Sequence, residues 1–228
     1  MTARTVLIVD CYIELPGAAA NFEQYLDRSE CESCLIVHGQ RPKKPIASYS
    51  GVVITGSAAS VTDRLPWVDD LQALILNAIR LDIPVLGVCF GHQLLADALG
   101  GTVQKASIPE VGTVQIDLIK DSVITAGLPK RFSCFVSHED EVVSVGDMCE
   151  VFARSEQCAV QAFRHRTAAA WGIQFHPEMP ESERLELLNY RAKRHPELEL
   201  DVEKQYAQRV EQSELAQTIF GHFLAACR

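Results

Sequence analysis

IPVLGVCFGHQLLA, residues 83–96, is the stretch on which the fold turns. Its continuous apolar run, Ile83 to Val88, reads as a buried strand, and His92 to Leu99 reads as a helix closed by Gly100 and Gly101. Between them Gly87 and Gly91 flank Cys89 on either side. A turn this tight brings side chains two residues before and after its centre into collision, which favours glycine at both places. The central residue is held in a strained backbone conformation costing about 1–3 kcal/mol. Its side chain stands at the carboxyl end of the strand, where open α/β sheets bind their ligands. The helix N-terminus beneath it favours a thiolate over a thiol. The N–H of the next residue, Phe90, can point at a developing oxyanion. The bland alternative is a buried thiol in a turn that glycine merely permits.

Outward from this elbow the first half of the chain alternates strands and helices. Val6–Val9, Leu35–Val37 and Val52–Ile54 are strand candidates, and Phe22, Tyr25 and Leu26 suggest a helix face. Residues 66–80 open on Pro66, which suits a first helical turn, and carry apolar positions at the helical period. Continuous apolar strands separated by helices imply parallel pairing with helices on both faces. From 102 to 175 the pattern changes to short strands, with alternation at Val114, Ile116 and Leu118 and runs at 132–136, 141–145, 149–153, 159–163 and 169–175. The tail is helical: Leu185, Leu187 and Leu188 belong to one segment, Val210, Leu215, Ile219, Phe220 and Phe223 to another, and His195-Pro196 separates them. The expected fold is an α/β domain spanning residues 1–228: an open, mostly parallel but mixed sheet, helices on both faces, an antiparallel extension and a helical C-terminal extension over 181–228.

Composition narrows the function. The chain has 228 residues, is 47% hydrophobic and 22% charged, and carries a net charge of −9. Its basic residues form only short clusters at 41–44 and 191–194, a poor footprint for nucleic acid. A mean hydropathy of +0.04 and apolar runs far below the roughly 20 residues needed to span a bilayer argue against a membrane protein. Residues 1–30 lack the basic start, apolar block and cleavage site of a signal peptide. Eight cysteines in such a chain are read as reduced thiols of a cytoplasmic protein. Cys31 and Cys34 form a C-x-x-C pair, too few ligands for a structural zinc site. No metal and no cofactor are expected.

A cysteine nucleophile needs a base, and the base needs a group to orient it. WGIQFHPE, residues 171–178, is a strand followed by His176 and Glu178. In an extended segment, residues two apart point to one side, so His176 can face the elbow while Glu178 reaches its other ring nitrogen.

With these residues in place, GVCFGHQLLA (87–96) and WGIQFHPE resemble the class I glutamine amidotransferase family and its Cys-His-Glu triad. VITGSAASV (53–61) is similar to the family's oxyanion loop, and VSHEDEV (136–142) resembles a block of the glutaminase domain of GMP synthase. The resemblance covers roughly residues 5–178 and implies a flavodoxin-like fold. It implies that Cys89 attacks a γ-glutamyl carbonyl to form a thioester, that His176 is the acid–base group and that Glu178 orients it. Gly56, Ser57 and Phe90 would form the oxyanion hole, and Gln93, Glu139 and Asp140 would hold the glutamate portion of the substrate. Ser57 and Ala58 stand where the family usually has a second glycine and a proline, which puts the backbone angles of that loop in question. Glu139 replaces a frequent glycine, as a solvated rim charge or as a contact for a substrate amine. His92 and His138 are expected to be structural hydrogen-bonders. The chain has no Gly-rich pyrophosphate loop and no G-x-x-x-x-G-K-[ST] motif. Three functions follow: a stand-alone hydrolase of glutamine or a γ-glutamyl compound; a glutaminase that supplies ammonia to a separate synthetase chain; or an elbow protein that binds γ-glutamyl ligands without turnover.

Overall fold

The computed structural model describes residues 5–13, 18–207 and 212–227. Its strands are β1 (Val6–Asp10), β2 (Cys31–Leu35), β3 (Gly51–Ile54), β4 (Val85–Val88), β5 (Thr102–Leu118), β6 (Arg131–Ser144), β7 (Cys149–Arg154), β8 (Ala162–His165) and β9 (Ala170–Ile173). Its helices are α1 (Ala19–Leu26), α2 (Pro66–Arg80), α3 (Phe90–Ala98), α4 (Glu181–Arg194), α5 (Val202–Ala207) and α6 (Ser213–Ala226). The nine strands form one sheet in the order β2-β1-β3-β4-β9-β8-β7-β5-β6. Strands β2, β1, β3, β4 and β9 run parallel, and every pairing from β9 to β6 is antiparallel. This is the mixed sheet with an antiparallel extension that the sequence pattern predicts.

The apolar strands are continuous because both faces are covered. Val6 and Ile8 of β1 face one way, against Phe22 and Leu26 of α1 and Ile219, Phe220 and Phe223 of α6. Leu7 and Val9 face the other way, against Leu71 and Ile75 of α2 and Leu94 and Leu95 of α3. Helix α2 begins with Pro66 at its first turn and ends with Arg80, both suited to their ends.

Some boundaries differ from the sequence expectation. The strand placed at Leu35–Val37 lies upstream, at Cys31–Leu35, and Ile36–His38 form a 3-10 turn that tucks the Ile36 side chain into the core. The expected run at 159–163 is displaced to β8, which starts at Ala162, just after Gln161 donates its N–H to the Ala153 carbonyl of β7 (3.0 Å). The runs at 132–136 and 141–145 are one strand, β6. The polar residues Ser137 to Asp140 between them pair with β5 across an irregularity between Lys105 and Glu110, so the apolar alternation lapses while the ladder continues. Val210 lies outside the described residues.

Cys31 and Cys34 both lie within β2. Burial, reinforced by neighbouring carboxylates, pushes the Cys31 thiol up to about 12, and burial also raises Cys34, so neither is poised as a thiolate. Among the described residues no helix is long and apolar enough to cross a membrane.

Candidate active site

The elbow has the geometry its glycines demand. Cys89 sits between β4 and α3 at φ +54° and ψ −106°, a conformation that L-residues rarely adopt. A Cβ on Gly87 would lie 2.2 Å from the carbonyl oxygen of Gly91, and one on Gly91 would lie 2.3 Å from that of Ile54. Backbone cannot yield to such contacts, so both positions require glycine. The strained residue is held from three sides: Cys89 N–H donates to Ile173 (2.8 Å), Gly91 N–H donates to Thr55 (3.1 Å), and the Cys89 carbonyl accepts from Gln93 N–H (3.1 Å). Phe90 opens α3, where a first-turn N–H has no acceptor within the helix.

The base arrives from far along the chain. Strand β9 pairs in parallel with β4, Val88 opposite Ile173, and carries His176 past its end towards Cys89. His176 is 2% exposed and Glu178 also 2%. His176 Nδ1 lies 2.7 Å from Glu178 Oε1, and the imidazole is also a hydrogen-bonding neighbour of Cys89. Burial alone pushes the His176 pKa down, but the Glu178 carboxylate and Cys89 outweigh it and raise it to about 10. The backbone also positions this histidine, since His176 N–H donates to Phe135 of β6 (2.8 Å).

The loop after β3 closes over this pair. A Cβ on Gly56 would lie 2.9 Å from Tyr12 Oη and 3.2 Å from His176 Cε1, so glycine is what allows the loop to touch the imidazole. Ser57 and Ala58 are absent from the left-handed backbone region, so their conformation does not call for glycine.

Gln93 is buried on the first turns of α3. Its side-chain amide donates to the Asp140 carbonyl (2.9 Å) and to Gln174 Oε1 (3.1 Å), which leaves its own oxygen to offer a ligand. The Asp140 carboxylate is held by Ser60 Oγ. Glu139 is neither a solvated rim charge nor free for a substrate amine. Its carboxylate pairs with Arg191 and Arg194 of α4 and with His195 (3.2 Å). Burial opposes its ionisation, but the hydrogen bond with His195 and the charges of Arg191 and Arg194 outweigh that and hold it below the usual carboxylate range.

His138 is structural, as expected: its Nε2 lies 2.9 Å from Glu110 Oε2 and its Nδ1 2.9 Å from the Asp140 carbonyl. Glu110 also accepts from Ser155 and Gln161, each at 2.6 Å. Glu110, His138 and Cys158 lie close enough to share a metal, but the carboxylate and imidazole already spend their hydrogen bonds within the protein. His92 is fully buried, packs on Phe163 with ring centroids 5.1 Å apart and meets the backbone of Gly172 and Val160; burial drives it down to about 3, so it is a neutral structural ring.

Two cavities meet at Cys89. One, about 250 Å³, is polar and lined by Ser57, Gln93, Glu139, Asp140 and Lys105. The other, about 330 Å³, is largely apolar and lined by Tyr12, Ile13, Met179, Leu187 and Tyr190, with His176 opening onto it. Arg191 lines both; its Nε donates to Ser137 Oγ (3.0 Å), and the Ser137 carbonyl faces Cys89 Sγ at 3.9 Å. Sequence reading missed Arg191 and Tyr12, because neither stands in a motif and both reach the site only through packing. A larger cleft of about 920 Å³, lined in part by Ile108, Arg131 and Leu200, lies apart from the elbow.

Residues 7–191 match the family model described as glutamine amidotransferase class-I. The chain belongs to this family. It is 40% identical over 111 residues to the glutamine-hydrolyzing GMP synthase subunit of Methanococcus vannielii, a match covering 49% of this chain and 59% of that one. The chain thus spans less than two thirds of that relative's length. To the corresponding GMP synthase subunit of Methanocaldococcus jannaschii it is 32% identical over 154 residues, covering 66% of this chain and 78% of that one. Among solved structures, a glutamine amidotransferase from Thermotoga maritima superimposes with a TM-score of 0.80 at 20% identity, over 97% of this chain and 96% of that one. One from Methylobacillus flagellatus gives 0.80 at 23% identity, over 99% and 96%. These structural likenesses bear on the fold alone. They agree with a curled mixed sheet flanked by helices.

Proposed function

We propose that this family member, acting as a single domain over its whole length, hydrolyses the γ-glutamyl amide bond of glutamine or a γ-glutamyl compound through a thioester on Cys89. The observation that carries the reading is the strained Cys89 at a helix N-terminus with the His176–Glu178 pair against it. His176, its pKa raised, holds the proton that Cys89 gives up, and the thiolate attacks the γ-carbonyl carbon. The carbonyl oxygen takes on negative charge opposite the N–H of Phe90 and the Gly56-Ser57 loop, where each such donor lowers the barrier by about 3 kcal/mol. As the C–N bond breaks, His176 passes its proton to the departing nitrogen. Water then loses a proton to His176, adds to the thioester and releases glutamate, and the thiolate is restored. Glu178 keeps one ring nitrogen protonated throughout. Gln93, through its free oxygen, would accept a hydrogen bond from the substrate's ammonium group, beside the Asp140 backbone.

The names of the relatives favour a second reading, in which the ammonia goes to a separate synthetase chain. Release of ammonia or amine from glutamine and γ-glutamyl amides by the purified protein tests the first, and activity gained only on adding a second chain favours the other. Cys89→Ser should abolish release while the fold persists by circular dichroism. His176→Ala should lower kcat by about 10²–10⁴-fold and Glu178→Gln by less, because the second change misorients the base without removing it. Full activity in Cys89→Ser, or the reverse order of the other two, would rule the assignment out.

A further inference from the structure

We infer that the preferred substrate is a γ-glutamyl amide whose amine carries a sizeable uncharged apolar group, rather than the bare carboxamide of glutamine. The inference rests on the hydrolase reading above and adds the chemistry of the leaving group.

The nucleophile stands between cavities of opposite character, and the substrate has two ends of opposite character. The glutamyl end carries an ammonium and a carboxylate, and the polar cavity meets it with Gln93, the Asp140 segment and the ammonium of Lys105. With that end seated and the carbonyl carbon at Cys89, the departing nitrogen points to the other cavity. That is also where His176 opens, the group that must protonate it.

The second cavity is built for more than ammonia. Ammonia is about the size of a water, whose share of liquid volume is about 30 Å³, whereas this cavity holds about 330 Å³. That is within the range of small-ligand pockets. Its walls are Ile13, Ala58, Met179 and Leu187 with the rings of Tyr12 and Tyr190. Ile13 and Tyr190 are 42% and 45% exposed, so large apolar side chains lie open to water at a mouth that an apolar ligand would cover. The charges on the lining are the carboxylates of Glu183 and Glu186, the guanidinium of Arg191, already engaged by Glu139 and Ser137, and the His176 imidazole, already paired with Glu178. A leaving group bearing its own carboxylate would meet like charge there, and an uncharged alkyl or aryl tail would not.

The chemistry is unchanged and balances. The S–C bond to Cys89 forms as the C–N bond breaks. The proton held by His176 leaves on the amine, and water supplies the oxygen and protons for glutamate and the regenerated catalytic pair.

The test is kcat/KM for glutamine, γ-glutamyl methylamide, γ-glutamyl n-propylamide and γ-glutamyl benzylamide, whose amines have comparable basicity. Values should climb along the series, the benzylamide exceeding glutamine by about tenfold or more. Leu187→Trp fills the cavity and should lower the benzylamide-to-methylamide ratio by about tenfold. Tyr190→Ala, at a ring 45% exposed, should lower the same ratio by about threefold. Glutamine turned over as well as the benzylamide, or a ratio unmoved by both variants, overturns the inference while leaving the hydrolase reading intact. Hydrolysis of none of the four, glutamine included, removes both. Glutamine hydrolysis that appears only with a second chain present also overturns it, in favour of an ammonia-supplying role.

Discussion

Cys89 and His176 each occupy a state that an isolated residue would avoid, and each is held there by neighbours. The strain at Cys89 depends on the two flanking glycines, which let the chain pass close to itself. Gly87→Ala would drive a methyl group into the Gly91 carbonyl, and should destabilise the fold by at least about 3 kcal/mol in urea unfolding. A loss below about 1 kcal/mol would mean that the elbow relaxes easily. His176 makes a prediction about pH. Its pKa is raised from 6.5 to about 10 in the folded chain, so the folded state keeps a proton that the unfolded state releases. The stabilisation is complete below about 6.5 and is lost as pH rises towards about 10, with a slope of at most about 1.4 kcal/mol per pH unit. Urea midpoints from pH 6 to 10 for the wild type minus His176→Asn should fall with pH. A rise would mean that burial, not Glu178 and Cys89, dominates this imidazole.

Helix α4 shows how one element can redefine residues on another. The sequence places Glu139 near the substrate, but Arg191, Arg194 and His195 lie beyond the last recognisable block, and nothing in their spacing announces a target. Once α4 lies across β6, the Glu139 carboxylate docks the helix and Arg191 becomes the partition between the two cavities. Both side chains are largely withdrawn from water, at 12% and 19% exposed. A double-mutant cycle of Arg191→Ala and Glu139→Ala, read by urea unfolding, should give a coupling of about 1–3 kcal/mol. A coupling near zero would make the contact incidental and α4 free to move. The helix α6 has a similar bracing role. With its amide oriented to satisfy both neighbours, Gln212 donates to the His176 carbonyl (2.9 Å) and accepts from Phe135 N–H (2.8 Å).

Across the whole molecule, the sheet's faces are closed by segments distant in sequence. Phe220 of α6 is fully buried and packs on Phe22 edge-on at 5.7 Å and on Tyr25 at 5.5 Å, tying the C-terminal helix to α1. Phe220→Ala should cost about 3–5 kcal/mol, measured by urea unfolding, and a loss under about 1 kcal/mol would show α6 to be dispensable to the core. The apolar runs, the helical period of 66–80, the glycine-flanked elbow and the His-x-Glu after a strand were all legible in the sequence, because each depends on contacts within a few residues. Boundaries were less legible where polar residues serve the site instead of the core, as in the middle of β6. What only the tertiary structure decided is which distant groups meet. Pairing β9 beside β4, across four intervening antiparallel strands, is what sets His176 against Cys89. The capture of Glu139 by α4 and the apolar wall facing His176 arise in the same way, since packing between elements far apart in the chain leaves no local pattern to read.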